Sequence, residues 1–570
     1  VSRGAGLLAA GAAAGWVALV ARWFDVCRPW RPQALAAVPP AALGLILLGL
    51  AGAWWVQTGA RRPALDAGWL LVALALAFRL PLLWWGSAGF LTADGALSGL
   101  VSLRARHGLE HLVFVPGVPY SGSLKSHLAA PLAALIDPSR AFALASVAFY
   151  LAFVRGLWRL AGEERWVAGA AGLYAAFSPA FLTRYGLSND GNYVEVLALG
   201  TWALVGAARW HEEGGPGPGR AAGVGVLLGL AFWCHILAVI HVAAVAVFLL
   251  LFGRRRGLLA GPWVLAGFAL GYAPGLAWNA VHGWESLRYV VPGLQAVGTL
   301  AEGPDLATRA WRIAAGQLPV LFGYDPGHAA AADALLMGLA ACALGVAALS
   351  VLHAARGWML ARSPRRGLLL LFLAMNGVVA LLALPLVEGN PRYLLFSMSA
   401  VPIFMAQALD AWGRRWAAVL LVAFGAAVSL AQAPGAFRAD ERWRGFVQAL
   451  EREAVGHCYT DFFLATRINF LSQERVACSA ELGPTRTEYF PDFPERVGRA
   501  SEAALVAVNA NHADKLERRL RRLGVAFERR DLMKPVLLRL GRKVRPQEID
   551  AAVEGGYPPP DEASSSSTAR

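Results

Sequence analysis

The chain has 570 residues, 57% of them hydrophobic and only 16% charged, where a soluble globular domain carries about 25% charged residues. That balance excludes an ordinary soluble class and points to a membrane protein. The formal net charge is +14, but Lys and Arg lie mostly in short connections between apolar runs and in the C-terminal region, a distribution that argues against nucleic acid as a partner and for positively charged membrane loops.

A bilayer core of roughly 30 Å takes about 20 apolar residues in helical form. In chain order, about thirteen runs qualify as spans: 6–21, 40–56, 67–85, 141–160, 166–181, 193–208, 221–233, 236–252, 258–278, 332–353, 368–385, 394–409 and 416–430. The first lacks a convincing cleavage site and is expected to stay as a helix. The pair around His235 reads either as two spans or as a bent, re-entrant hairpin.

Loop charge orients the bundle. Arg61-Arg62, Arg155/Arg159/Arg165, Arg254 to Arg256, Arg356/Arg362/Arg365/Arg366 and Arg414-Arg415 fall on one face, expected to be cytoplasmic. Arg22, Arg28 and Arg31 fall on the other, against five concordant loops. The N-terminus is thus expected inside. Long outer loops are expected at 86–140 and 279–330, with short ones at 183–192 and 388–393.

The region 436–550 reads as a small extracytoplasmic α/β domain. A helix is expected at 441–453 and another at 513–523, with strands at 457–460, 475–479, 504–509, 526–530 and 535–540. This alternation predicts a mostly parallel sheet. The Pro/Ser-rich tail, 551–570, has a disordered composition. The fold class is therefore an all-α polytopic membrane bundle, residues 1–435, followed by that domain. Five cysteines occur, with no CxxC pair or zinc spacing. Cys458 and Cys478 fall on two strands that can be neighbours, and a disulfide is given less than even odds because adjacent parallel strands rarely offer its geometry.

Three outer segments hold groups suited to chemistry. Asp94 follows a spanning helix in apolar surroundings, where partial burial tunes a carboxylate toward general-base or metal-ligand work. Its plain alternative is a helix N-cap. Asp190 and Glu195, with Arg184 ahead of them, lie in the polar turn Asn189-Asp190-Gly191-Asn192 and the helix start after it, and either serve a site or merely follow turn and helix-dipole preferences. Arg392 and Tyr393, in Asn390-Pro391-Arg392-Tyr393, suit paired donation to a lipid phosphate or an interfacial anchor. Arg79 has the same two readings. His235 and His241 lack helical spacing for one metal and are taken as core or interface residues.

Taken in order, the Asp94 loop, the segment Pro119-Tyr120-Ser121-Gly122-Ser123-Leu124-Lys125, the second acidic loop and the outer Arg392-Tyr393 resemble the GT-C type membrane glycosyltransferases. Among these, the closest resemblance is to the protein O-mannosyltransferase and lipid A aminoarabinose transferase superfamily, in its broad bacterial branch. The resemblance covers roughly residues 67–430 and extends to the C-terminal domain. It implies a catalytic Asp94, with Asp190 as the second-loop acid and Glu195 as a nearby substitute. It further implies donor or acceptor contacts from Arg392, Tyr393, Lys125, Tyr120 and Arg184. Gly95 stands where the family carries the second acid of a pair, so no cofactor follows with certainty, and a divalent metal would lack one of its carboxylates.

The resemblance implies an inverting glycosyltransferase of the bacterial inner membrane. It would move a sugar, hexose or pentose, from a polyprenyl-phosphate donor to a glycan, lipid or protein acceptor in the cell envelope. Two alternatives compete. One is an inactive relative acting as a membrane scaffold, suggested by Gly95. The other is a transporter, disfavoured because the acids cluster in outer loops and no inverted repeat is visible.

Overall fold

The computed structural model describes residues 66–108, 111–188, 191–215, 217–288, 305–324, 330–383, 391–482, 489–532 and 535–551. The spans expected at 6–21 and 40–56, the tail and Asp190 lie outside the described residues.

The bundle opens with α1 (Ala67–Gly86) and α2 (Ala93–Arg106). A two-stranded antiparallel ribbon follows, β1 (Phe114–Val115) and β2 (Val118–Gly122), and leads into α3 (Leu124–Leu132). Next come α4 (Pro138–Ala161), α5 (Arg165–Ala176), α6 (Ala180–Tyr185), α7 (Tyr193–Glu212), α8 (Pro218–Cys234) and α9 (Val239–Gly271). Beyond short connecting helices lie α10 (Ala330–Ala361), α11 (Pro364–Ala383), a 3-10 segment (Pro391–Ser399), α12 (Val401–Ala411) and α13 (Arg415–Arg452).

Among the described residues, six helices are long and apolar enough to cross a membrane: Ala67–Gly86, Pro138–Ala161, Ile236–Gly271, Ala332–Ala361, Pro364–Leu382 and Arg415–Arg452. The 3-10 segment and α12, bent by 54°, make a seventh if counted as one span. Eleven of the expected thirteen fall on described residues, and these give six helices of spanning length, or seven with the bent pair. Run length overcounts because it cannot distinguish a spanning helix from a short buried one. The run at 166–181 ends as the 12-residue α5, and the run at 221–233 lies in the 17-residue α8. The runs at 236–252 and 258–278 do remain two helices, separated at Arg254 (φ 48°). A Cβ at Gly257 would come 2.0 Å from the Leu249 carbonyl oxygen, far closer than eight residues of straight helix allow, so the chain folds back at Arg254. Large apolar side chains such as Leu258, Leu265, Leu335 and Leu352 remain exposed on the outside, as a lipid-facing surface requires.

The basic connections meet at one end of the bundle. Arg155 pairs with Asp66 at the start of α1 at 2.8 Å. Arg365 pairs with Glu212 at 2.6 Å, Arg256 donates to the Gly214 carbonyl at 2.9 Å, and Arg415 stacks 5.1 Å over Trp166. Arg79, by contrast, is internal: it donates to the Ala176 carbonyl at 2.8 Å and Ser178 Oγ at 2.7 Å, and lies 3.7 Å over the Tyr150 ring. Its role is to tie α1 to the α5–α6 turn, which neither sequence reading offered.

α13 has 38 residues, about 57 Å at 1.5 Å per residue, and outruns any bilayer core. The sequence analysis placed a span at 416–430 and a separate helix at 441–453; the structure makes them one. The apolar first part packs on the bundle, and the polar second part reaches the C-terminal unit. Between the two parts, Asp440 accepts from the Ala88 amide at 2.7 Å, just after α1, and Arg444 pairs with Asp440 and with Asp137, just before α4, at 2.6 and 3.0 Å.

The C-terminal unit holds β3 (His457–Tyr459), α14 (Phe462–Leu471), β4 (Ala477–Ser479), α15 (Asp492–Arg499), β5 (Ala504–Ala507), α16 (Ala510–Arg522), β6 (Phe527–Asp531) and β7 (Val536–Leu540). The sheet order is β4-β3-β5-β7-β6. β3 pairs parallel with β4 and β5, while β7 pairs antiparallel with β5 and β6. The sheet is therefore mixed rather than mostly parallel: β6 and β7 are joined closely and run as a hairpin, which no helix separates. Cys458 stands directly opposite Cys478, with Cα atoms 4.5 Å apart, and the two are disulfide-bonded. The low odds given to this bond are corrected by that register, which a sequence does not display.

Candidate functional site

Asp94 sits in the first turn of α2. The N-cap is Thr92, whose hydroxyl accepts from the Gly95 amide at 3.1 Å. Asp94 is therefore not the cap, and its exposed carboxylate lies in the favourable field of a helix N-terminus. The rest of α2 is almost wholly buried, and its apolar side chains do not face the bundle alone. Leu97, Leu100, Val101 and Leu103 share one cluster with Tyr459, Phe470, Leu482, Phe490 and Phe493 of the C-terminal unit. Arg104 closes this contact with Glu474 at 3.1 Å, Asp492 at 2.8 Å and the Phe490 ring at 4.1 Å. Two distant stretches of sequence thus hold the helix that presents Asp94.

Arg392 opens the 3-10 segment. Asp94 lies within its electrostatic reach, together with the phenols of Tyr193, Tyr393 and Tyr185. Its guanidinium carbon is 5.4 Å from the Tyr393 ring centroid, and the Tyr393 carbonyl accepts from Asn376 Nδ2 at 2.6 Å. The aromatic wall continues inward. Tyr193 lies 6.4 Å from Tyr393, 5.7 Å from Tyr185 and 5.1 Å from His235, and Tyr120 lies 5.6 Å from His235. The sequence analysis expected Tyr120, Tyr393 and Arg392 here; the structure brings them to one neighbourhood with Asp94. Arg184 is exposed at the end of α6. Asp190 cannot be placed.

Lys125 and Glu195, expected to touch donor or acceptor, are instead given to each other. Lys125 Nζ is 2.9 Å from Glu195 Oε1, and the side chains are 1% and 0% exposed. Among the described residues, no group of three or more His, Cys, Asp or Glu side chains is placed to hold a metal ion, so no chemical step is routed through one.

Tyr193 and Tyr185 were not singled out from the sequence, His235 was taken only as a core or interface residue, and Asn192 only as part of a turn. His235 adopts an extended conformation between α8 and the 3-10 turn Ile236–Ala238, with Nδ1 accepting from the Leu237 amide at 3.1 Å. Of the two readings at this point, a bend is what forms. Asn192 takes a left-handed conformation (φ 58°), which Asn tolerates better than most residues. Its Nδ2 donates to Ser121 Oγ at 2.9 Å, to the Gly122 carbonyl and to the Cys234 carbonyl at 3.1 Å. The Asn-Asp-Gly-Asn turn was the available signal for this junction.

No protein-family model matches the chain, and no curated protein matches it. Solved structures do. ArnT from Cupriavidus metallidurans in the apo state superposes with a TM-score of 0.57 at 12% identity, over 83% of this chain and 98% of that one. The same protein bound to undecaprenyl phosphate gives 0.54 at 12% identity and the same coverage. The Archaeoglobus fulgidus oligosaccharyltransferase in complex with Zn and sulfate gives 0.49 at 11% identity, over 80% and 69%. At such identities the likeness is one of fold: the chain shares the fold of ArnT.

Proposed function

We propose that the chain is an inverting glycosyltransferase that takes its sugar from a polyprenyl phosphate. The observation that carries the reading is that Asp94 lies within electrostatic reach of Arg392, a carboxylate and a guanidinium from remote parts of the chain, beside a wall of tyrosines. The fold adds support, since ArnT with that fold has been solved with undecaprenyl phosphate bound. In the proposed step an acceptor hydroxyl oxygen attacks the anomeric carbon. The bond from that carbon to the phosphate oxygen breaks, and its electron pair leaves on the lipid phosphate. Asp94 takes the hydroxyl proton. Arg392 stabilises the departing phosphate by paired N–H donation. A phosphate leaves without needing a proton, so one carboxylate suffices and Gly95 is tolerated.

Nucleotide sugars are too polar to cross a bilayer unaided. The reading places Asp94, Arg392 and the C-terminal unit on the outer face, opposite the basic end, with the acceptor an envelope glycan, lipid or protein. Exposed Arg184 is a second cation for donor or acceptor, and Asp190 the acid that positions the acceptor.

The test is a pair of substitutions in purified protein. Asp94→Asn is expected to cost about 10²–10⁴-fold in transfer, the usual worth of a general base, with donor binding retained. Arg392→Ala is expected to weaken donor use more than acceptor use. Full transfer by the Asp94 variant would reduce that residue to a helix-terminal acid and remove the reading.

A further inference from the structure

Lys125 opens α3 immediately after β2, the strand that bears Tyr120, and Glu195 lies in the first turn of α7, two residues beyond Tyr193. Their charges meet at 2.9 Å with neither side chain in contact with solvent. The same two segments are stitched a second time by Asn192, which donates to Ser121 Oγ and the Gly122 carbonyl. On its other side α3 is tied to α2: Ser126 Oγ donates to the Ser98 carbonyl at 2.9 Å, one turn beyond Asp94. The ion pair therefore sits where the helix of Asp94, the strand of Tyr120 and the helix of Tyr193 are joined.

We propose that Lys125 and Glu195 form a positioning pair that fixes Tyr120 and Tyr193 relative to Asp94, and that Lys125 does not read the donor phosphate. This rests on the functional reading above. A buried pair of opposite charges adds no net charge beside a site, whereas either charge alone is strongly unfavourable in an apolar interior. Removing one partner leaves the other uncompensated. Removing both, in favour of apolar side chains of similar size, restores the packing. A phosphate-binding lysine obeys different rules. Neutralising Glu195 would release Lys125 to the anion and tighten binding.

The experiment uses the full chain in phosphatidylcholine nanodiscs. Undecaprenyl phosphate is titrated well below the melting temperature, and thermal midpoints are measured in parallel. Glu195→Gln and Lys125→Met are each expected to weaken binding about tenfold, the scale of coupling between neighbouring groups, and to lower the midpoint. The double variant Lys125→Met/Glu195→Met is expected to recover to within about threefold of wild type and to regain most of its midpoint. Tighter binding by Glu195→Gln overturns the proposal, as does a double variant that stays as weak as Lys125→Met. A purely structural pair would change the midpoint and leave the affinity of the folded fraction unaltered, which also overturns it. Wild type that fails to bind undecaprenyl phosphate would count against the donor reading. The stability cycle would then still test the compensation on which the proposal depends, because a double variant no more stable than the singles overturns it.

Discussion

Gly99→Ala tests whether the C-terminal unit positions Asp94. Gly99 lies in the middle of α2, facing α14. A methyl group there would stand 2.5, 2.6 and 2.8 Å from three ring atoms of Phe470, where ordinary carbon contacts are about 3.5–4.0 Å. Helix or ring must yield by about 1 Å. The ring is 1% exposed and lies edge-on to Phe142, so much of the movement falls on α2. Overpacking costs about 1–3 kcal/mol, and replacing glycine within a helix returns up to about 1. The net loss is about 1–2 kcal/mol, or a few degrees in melting temperature. The catalytic consequence is larger, because a displacement of about 1 Å at a reacting group can cost about 10²-fold. Transfer by the purified variant is therefore expected to fall about a hundredfold, with only a modest thermal shift. Phe470→Leu in the same chain, by making room, should restore it. A Gly99→Ala variant with normal turnover would refute the idea that this contact sets the position of Asp94.

Two further expectations concern the C-terminal unit and α3. The Cys458–Cys478 bridge closes a loop of sequence separation 20, so loop-closure entropy gives it about 3 kcal/mol; Cys458→Ser should lose about that in denaturant unfolding of the C-terminal unit, and an unchanged midpoint would contradict it. His127 is buried in α3, and burial pushes its imidazole down to about 4, against a partial rise from its hydrogen bond to the Ser123 carbonyl and a further fall from His111. Because the folded form refuses a proton that the unfolded chain binds below its ordinary value of about 6.5, stability is lost as pH falls from about 6.5 to 4, by up to about 3 kcal/mol. His127→Gln should flatten that slope in thermal melts, and an identical pH profile would assign the loss elsewhere.

Local pattern made much of this legible. The five strands of the C-terminal unit lie within a few residues of their expected positions, since short apolar runs between turn residues are a local signal. Asp94, Arg392 and Tyr393 stood out as polar groups at the ends of apolar runs, Tyr120 came from the family resemblance, and the structure gathers them. What the sequence hid is relational. Strand register placed Cys458 against Cys478, and pairing buried Lys125 and Glu195 where loop positions suggested exposure. Span counting failed for a related reason. Apolar composition reports burial without saying whether lipid or protein does the burying, as α5 and α8 illustrate.

The most direct measurement of the central claim is donor choice by the purified, full-length chain in detergent. Synthetic polyprenyl-phosphate sugars and nucleotide sugars would be supplied in parallel with an envelope extract as acceptor. The account predicts inverted transfer from the lipid-phosphate sugar alone, abolished by Asp94→Asn. Transfer from a nucleotide sugar in lipid-free protein would contradict it, and so would binding of the lipid-phosphate sugar with no turnover of any sugar, which is the behaviour of a scaffold.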